Sequence, residues 1–517
     1  MKWKSWESYR CYGWFVGALV PVLLFRDVTP ANELRYLSIV DEALRNHSWF
    51  AFTHHGIPYA DKPPLFFLWM MLGKELLGGH QLWFLSLATL VPALVIVHTL
   101  DQWSATVLDK KGRVAARMML LTGGFFFVLA VTVRMDMLMC MFIVLALKLF
   151  YRQVTSSEPD RRARWLFPLY LFLAVFSKGP IGLLVPLGAT TLFLWWTDRQ
   201  SQWRDYWGWQ TWSVLLAGCL LWFSAVYVEG GQPYLENLLW HQTIDRAVNA
   251  FHHREPFYFY GISLWYSLAP WALLIIGLIL AAFFQQLLRS DLQRFFASVV
   301  FSTLFILSCL SSKLAIYALP AFPFMVYLAL IYLEWYEQSV WLRVLFALTA
   351  VLFVWVLPVI LYLAASETTA YLHHVMIYAG SLAVSVSGGV ALWSHFRWHQ
   401  SLKTGIGVLA RGMLVGLFIG GWALPSLNAW IGYQTVCRNA QELAAEKGTD
   451  RLAVYDMGRT ENMDVWGVHP VAIVGKNDSV ALSSLHHVVW MTRQRHGALF
   501  KACEQRKVGP YLVIYVK

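Results

Sequence analysis

The sequence predicts a polytopic α-helical membrane protein with a small polar α/β domain at its C-terminal end, and three observations carry that prediction. Of the 517 residues, 58% are hydrophobic, 16% aromatic and only 14% charged, whereas soluble domains carry about 25% charged residues. The apolar residues fall in blocks of roughly 15–24, which match the hydrocarbon thickness of a bilayer. Lys and Arg, which bring the net charge to +11, gather in short loops between the blocks, the positive-inside pattern. This excludes a disordered chain, a disulfide scaffold and an enzyme with a single anchor. No clustered basic face with interleaved aromatics is present, so no nucleic-acid partner is expected. Cys11, Cys140, Cys219 and Cys309 lie in apolar blocks as inert core residues, and no CxxC or Cys/His metal spacing occurs.

Taken in order, the N-terminal Lys2, Lys4 and Arg10 precede the apolar stretch 11–25. It is signal-like but lacks a small-x-small cleavage site, so it reads as an uncleaved first span leading out of the cytoplasm. Residues 26–61 are too polar to cross. Pro63–Leu77 is short and broken by Lys74 and Glu75, which suits an interfacial or re-entrant helix on the outer side. Further spans are expected near 80–100, 118–133, 135–151, 165–177, 180–197, 209–228 and 262–285, then near 295–311, 314–333, 341–364, 372–393 and 405–425. That makes about thirteen spans, with loops 26–79 and 229–261 and the tail 426–517 outside. In the tail, 434–447 has a helical pattern, while 451–455, 487–491 and 511–516 read as strands. Cys437 and Cys503 in this tail are a plausible disulfide in an oxidising compartment.

Basic residues on the outer side run against the topological bias and call for a reason. Several sit at span ends beside Gly, Pro or an acid: Asp61-Lys62-Pro63, Arg134-Met135-Asp136, Ser177-Lys178-Gly179 and Ser312-Lys313. A charge at mid-membrane costs about 2.5–3.5 kcal/mol on insertion scales and tends to be functional. One lysine could snorkel to headgroups; several at separate outer helix ends suit a shared site for a phosphate whose tail lies in the bilayer. The first loop opens a helix with Pro30 at a plausible first position. Leu34, Leu37, Val40 and Leu44 recur at helical spacing, so this segment can lie flat on the membrane. Asn32 reads as a capping residue, and Asp41 and Glu42 as a solvated face. Glu33, one turn from Tyr36, is more open to a chemical role. The loop 241–256 gathers His241, Asp245, Arg246, His252, His253, Arg254 and Glu255; a divalent metal there is possible, although the spacing matches no standard ligand set.

These residues resemble a known family. The runs NELRYLSIVDEALRNHSWF and GIPYADKPPLFF are similar to the first periplasmic loop of bacterial lipid A aminoarabinose transferases, of the GT-C glycosyltransferase superfamily with the protein O-mannosyltransferases as relatives. RMD at 134–136, SKGP at 177–180, HQTIDRAVNAFHHREPFYFY at 241–260, APW at 269–271 and SSKLAIYALPAFP at 311–323 continue the likeness in order over roughly the first 330 residues. The resemblance implies a GT-C membrane domain over 1–425 and a periplasmic α/β domain over 426–517. It implies an undecaprenyl-phosphate sugar donor, a lipid A or other periplasmic acceptor, and transfer at the outer face of the bacterial inner membrane. Donor-phosphate lysines map onto Lys62 and Lys178. Arg35 and Tyr36 map onto an active-site pair, Asp61 and Asp136 onto acids beside the pocket, Tyr59 and Tyr317 onto its lining, and His252 or His253 onto a residue that can meet a metal with Asp61. The family's loop begins Asp-Glu where this chain has Asn32-Glu33, and an amide is no general base. Either Glu33 or Asp136 takes the role, or none is needed because a phosphate acceptor is already anionic.

The mechanism expected on this basis is displacement at the anomeric carbon. Lys62, Lys178, Lys313 and a loop arginine, Arg246 or Arg254, would stabilise the departing polyprenyl phosphate. No cofactor is required by this chemistry. A lipid-linked-sugar flippase would instead place its charges near the midplane in inverted repeats, and none is seen. Protein or polysaccharide O-glycosylation with the same donor is the other alternative.

Overall fold

The computed structural model describes residues 6–156, 160–240, 254–476, 485–501 and 503–517. Every segment expected to span is helical, and the chain is a multi-pass membrane protein. Among the described residues eight helices are long and apolar enough to cross on their own, or nine if one bent pair counts as a single span. Arg10–Phe25, Ile181–Trp196 and Ala272–Phe284 are apolar but shorter. The broken spans have local causes. The expected 118–133 segment divides into helices Lys110–Leu121 and Gly124–Val131, bent by 64°. A Cβ at Gly124 would lie 2.5 Å from the Ser267 carbonyl oxygen, so only glycine lets the two backbones approach at the bend. The expected 262–285 segment divides at Ala269-Pro270-Trp271 into Phe259–Ser267 and Ala272–Phe284. The expected 209–228 span instead runs on as the helix Trp209–Glu236, with a kink at Gly231 (φ 70°).

The bundle shares one continuous apolar core, running from Phe15 and Leu19 through Ile143, Leu147, Phe295 and Phe322 to Leu414. A second core lies at one end of the bundle. It joins the helix Glu33–Asn46, the helix Leu65–Leu77 and the tail, with Leu37, Val40, Phe67 and Met70 packed beside Val436, Met463 and Val513. The Glu33–Asn46 helix therefore does not lie on a membrane surface. Leu34, Leu37 and Val40 are fully buried, and Asp41 and Glu42, on the face expected to be solvated, are largely buried. The helix contacts Leu65–Leu77 and the 3₁₀ helix Thr460–Trp466 of the tail, and this double cover is why its polar face had to find partners. Pro30 sits in the turn before the helix, which starts three residues later.

After that helix comes a two-residue hairpin, β1 (Thr53–His54) and β2 (Ile57–Pro58). The tail holds β3 (Leu452–Tyr455), β4 (Ala472–Val474), β5 (Val488–Arg493), β6 (Glu504–Val508) and β7 (Tyr511–Val516). They form one sheet in the order β4-β3-β5-β7-β6, with β4, β3 and β5 parallel and β5, β7 and β6 antiparallel. The helix Gln434–Glu446 covers one face, and the helix Leu424–Ile431 leads into it across residue 425. The expected disulfide does not form: both cysteines are free. Cys437 packs in the core shared with the bundle, while Cys503 packs with Trp490 and Phe500 on the other side of the sheet.

Candidate active site

The site grows from the point where the first loop meets the end of the bundle. Glu33 opens its helix fully buried. Arg26 donates to both of its oxygens at 2.7 and 2.8 Å. The Thr29 amide and hydroxyl donate at 2.8 and 2.9 Å, and the Val133 amide at 2.8 Å. Burial alone would raise this carboxyl, but the Arg26 contact and the amides outweigh it and hold it below its ordinary range. Glu33 thereby ties the first loop to the residue just before Arg134-Met135-Asp136. Asn32 makes no capping hydrogen bond; its Oδ1 accepts from Arg35 at 3.1 Å.

Asp136, at the start of the helix Asp136–Thr155, is fully buried. It accepts from Arg134 Nε at 3.1 Å and from Lys178 Nζ in a short contact. The Lys178 ammonium lies 4.5 Å from the centroid of the Tyr317 ring, a cation–π contact in a dry setting. The Ser177-Lys178-Gly179-Pro180 turn explains how a lysine is held there. Lys178 ends the helix Ala163–Lys178, Gly179 takes φ 101°, and Pro180 caps the helix Ile181–Trp196. A Cβ at Gly182 would sit 2.5 Å from the Ala174 carbonyl carbon, so the two helices close directly beneath the turn.

The first loop supplies the facing side. The Tyr36 hydroxyl lies 3.8 Å from Met135 Sδ. The Arg35 guanidinium stands 5.9 Å from the Tyr36 ring and 5.6 Å from the Tyr59 ring. Lys62 lies 3.6 Å from the Asp61 carboxylate and donates to the Asp61 carbonyl at 3.1 Å. Asp136, Lys178 and Tyr317 thus form one linked set and Tyr36, Arg35 and Tyr59 another, and Tyr36 meets Met135 next to Asp136. Lys313 is spent differently: its ammonium donates to the Leu310 and Glu255 carbonyls at 2.6 and 2.9 Å, and Arg254 forms a backbone bridge with Ser312. Lys313 therefore braces the entry to the Tyr317 segment instead of presenting a free charge, because a buried ammonium must use its donors locally. Arg246, His252 and His253 lie outside the described residues. Among the described residues no group of three or more His, Cys, Asp or Glu is placed to hold a metal.

Four residues that complete the frame escaped the sequence reading. Arg26 locks Glu33, and its only signal was one more basic residue at the outer end of a span. Glu229 accepts from the amides of Trp49, Phe50 and Ala51 at 3.0, 2.7 and 2.9 Å. Tyr234 donates to the Tyr59 carbonyl at 2.8 Å and accepts from the Phe52 amide at 3.1 Å. His80 closes on Asp41 at 2.5 Å together with Lys74, also at 2.5 Å. The helix Trp209–Glu236 thereby clamps the first loop, which positions Tyr59.

No family model matches the chain. It is 25% identical over 324 residues to an uncharacterized protein of Aquifex aeolicus, covering 60% of this chain and 62% of that one. It is 25% identical over 254 residues to an undecaprenyl phosphate-alpha-4-amino-4-deoxy-L-arabinose arabinosyl transferase of Pseudomonas savastanoi, covering 48% and 46%. A Pseudomonas fluorescens protein of the same name is 25% identical over 438 residues, covering 83% and 75%. The chain thus spans less than two thirds of the length of the first two relatives. In fold it matches ArnT from Cupriavidus metallidurans bound to undecaprenyl phosphate, with TM-score 0.75 and 17% identity over 99% of this chain and 98% of that one. In sequence the chain is thus similar to these arabinosyl transferases, and in fold it is similar to ArnT.

Proposed function

We propose that the chain is a membrane glycosyltransferase that takes a sugar, of the aminoarabinose kind, from an undecaprenyl-phosphate carrier. The acceptor is a lipid A-type glycolipid at the outer face of the bacterial inner membrane. The observation that carries this reading is the buried Arg134–Asp136–Lys178 network beside Tyr317, next to Met135, which meets Tyr36 of the Tyr36–Arg35–Tyr59 set in the first loop. Buried cations at the end of a membrane bundle answer the need of a lipid-linked phosphate, and a relative of the same fold has been solved with undecaprenyl phosphate. Residues 1–425 form the catalytic membrane part on this reading, and 426–517 the periplasmic domain.

In the reaction the bond between the anomeric carbon and the carrier phosphate oxygen breaks, and its electron pair leaves on that oxygen. The acceptor oxygen forms the new bond from the opposite face. Lys178, Lys62 and Arg254 stabilise the charge that develops on the departing phosphate. Arg35, stacked between Tyr36 and Tyr59, orients the sugar. Glu33 is occupied by Arg26 and three further donors, so it anchors the loop. Asp136 holds Lys178 and Arg134 and is the carboxylate nearest the reaction. A phosphate acceptor brings its own anionic nucleophile, which suits the Asn32 position, where no base stands.

The test is the mass spectrum of lipid A from cells lacking the protein, carrying it, or carrying Lys62→Ala. A sugar-sized increment present only with the intact protein is expected. Unchanged lipid A in all three would remove lipid A as the acceptor.

A further inference from the structure

A groove of about 790 Å³ lies between the helices Trp6–Phe25 and Leu402–Gly421, within the size of pockets that hold small ligands, about 300–1,000 Å³. The two helices run in the same direction and in register. At their ends the Phe25 and Trp422 rings have centroids 5.3 Å apart, and a Cβ at Gly421 would lie 2.8 Å from Pro21 Cβ. Arg10 lies eleven residues before Pro21 and Arg411 ten before Gly421. Both therefore stand at one level, about 15–17 Å back from that contact at 1.5 Å per residue.

Small residues make the groove. Arg10, Gly13, Trp14 and Gly17 line one wall at the spacing of a single helix face, and Leu414 and Phe418 line the other. Small residues in membrane helices usually let neighbours touch, as Gly421 does against Pro21. No heavy atom lies within 4 Å of a Cβ position at Gly13 or Gly17, so these two glycines hold the groove open instead. Trp14 and Phe418 remain exposed along it, and it faces the lipid.

The groove is headed by charge without a counterion. Arg411 precedes Leu414 and Phe418 by three and seven residues, which puts it on the face that lines the groove. Its guanidinium reaches back towards the start of its helix, where a Cβ at Gly407 would lie 3.4 Å from Nη2. Arg10 and Arg411 are both exposed. An acid on a neighbouring helix, Asp101, lies one turn from His98, whose ring centroid is 6.5 Å from that of Tyr12. It is held by Arg113 and, at 3.5 Å, by Arg117. Among the described residues no carboxylate pairs with Arg10 or Arg411. Residues 1–10 hold Lys2, Lys4 and Arg10 against Glu7, so the sequence leading to the groove is cationic too.

We infer that this groove holds an acyl chain of an anionic glycerophospholipid whose phosphate sits between Arg10 and Arg411, in the leaflet opposite the candidate active site. Guanidinium forks match phosphate oxygens, and basic pockets between membrane helices select anionic headgroups. The candidate active site lies beyond Phe25, about 22 Å along the helix from Arg10, so a phosphate held there does not reach this pair.

The test is native mass spectrometry of the full-length protein, with phosphatidylglycerol, phosphatidylcholine of the same chains and undecaprenyl phosphate as separate probes. Phosphatidylglycerol should stay bound and raise the melting midpoint, and phosphatidylcholine should do neither. Arg10→Gln/Arg411→Gln should weaken the binding about tenfold or more. Gly13→Leu/Gly17→Leu, which fills the groove and keeps both charges, should do the same. Arg152→Gln/Arg289→Gln, which removes two other exposed arginines, should change nothing, and Arg411→Gln alone serves should the first pair fail to fold. Equal binding of the two phospholipids, or binding unaltered by loss of the arginines, would overturn the site. Binding lost with the arginines but kept with the glycines replaced would reduce it to surface attraction and overturn the groove. Undecaprenyl phosphate bound here as tightly as phosphatidylglycerol would overturn the assignment to a phospholipid. Binding is the readout throughout, so the result stands apart from the glycosyl-transfer reading.

Discussion

Glu33 and Lys62 separate structural from chemical charge. Removing one partner of a buried ion pair costs about 3–5 kcal/mol, so Glu33→Gln should lower the thermal midpoint strongly at neutral pH. The folded pKa of Glu33 lies below its ordinary value of 4.5 because the Arg26 contact and amides outweigh its burial. Its stabilisation is therefore complete above pH 4.5 and is lost as pH falls through the folded value. In a pH series of melting curves, the gap between the intact protein and Glu33→Gln should narrow only on that acid side. Asp27 runs the other way. Burial pushes it up to about 6 against the amides of Gln434 and Val28, so its share is largest below pH 3.8 and is lost as pH rises through about 6. Lys62 is partly exposed in its pair with Asp61, and such pairs contribute about 0–1 kcal/mol. Lys62→Ala should leave the melting curve almost unmoved while lowering kcat/KM by about 10²-fold, a loss typical of removing one charge-stabilising donor. A parallel loss of stability and activity would mean that Lys62 is structural.

At the scale of elements, the site depends on two closures. Glu229 in the helix Trp209–Glu236 accepts from three consecutive amides of the first loop, two in exposed and one in part-buried hydrogen bonds, each contributing about 0.5–1.5 kcal/mol. Glu229→Ala should therefore raise hydrogen exchange at Trp49–Ala51 and raise the donor KM through the neighbouring Tyr234–Tyr59 contact; unchanged exchange would disprove the clamp. The second closure is the approach of the helices Ala163–Lys178 and Ile181–Trp196 at Gly182, whose added Cβ would strike the Ala174 carbonyl. Backbone cannot move aside as a flexible side chain does. Gly182→Ala should consequently displace Lys178 and reduce activity at least tenfold, read in the same transfer assay, while Gly179 keeps its positive φ. Only the second closure was partly legible. Ser-Lys-Gly-Pro announces a turn between two spans, whereas Glu229 gave no sign, because its partners are amides 178–180 residues away.

For the whole molecule, the tail and the first loop form one core. Ser38 donates to Asp464 at 2.8 Å, His54 meets Asn462 at 2.8 Å, and Asp27 receives the Gln434 amide at 3.0 Å. Deleting residues 426–517 should strip protection from the amides of Leu34–Ala43 in hydrogen exchange. Retained protection would show that the Glu33–Asn46 helix is stable against the bundle alone. Since Cys437 and Cys503 lie on opposite faces of the sheet, both should react fully with a thiol reagent in the unfolded, unreduced protein.

Membrane class, the helical segments and three of the five described strands of the tail follow from local pattern alone, since a run of apolar residues of bilayer length has few other uses. The ordered motifs also pointed to Asp136, Lys178, Tyr317, Arg35, Tyr36 and Tyr59 as site residues; Lys178 meets Asp136 and Tyr317, and Arg35 stands over Tyr36 and Tyr59. Tertiary structure alone decided what each charge does there. Glu33 became an anchor because Arg26 and Val133 converge on it, Lys313 became a brace, and the amphipathic first helix was covered by the helix Leu65–Leu77 and by the tail. A carboxylate's role depends on which donors reach it in space; Arg26 lies only seven residues from Glu33, but Val133 lies 100 residues from it and Ser38 lies 426 from Asp464, distances that no local periodicity spans.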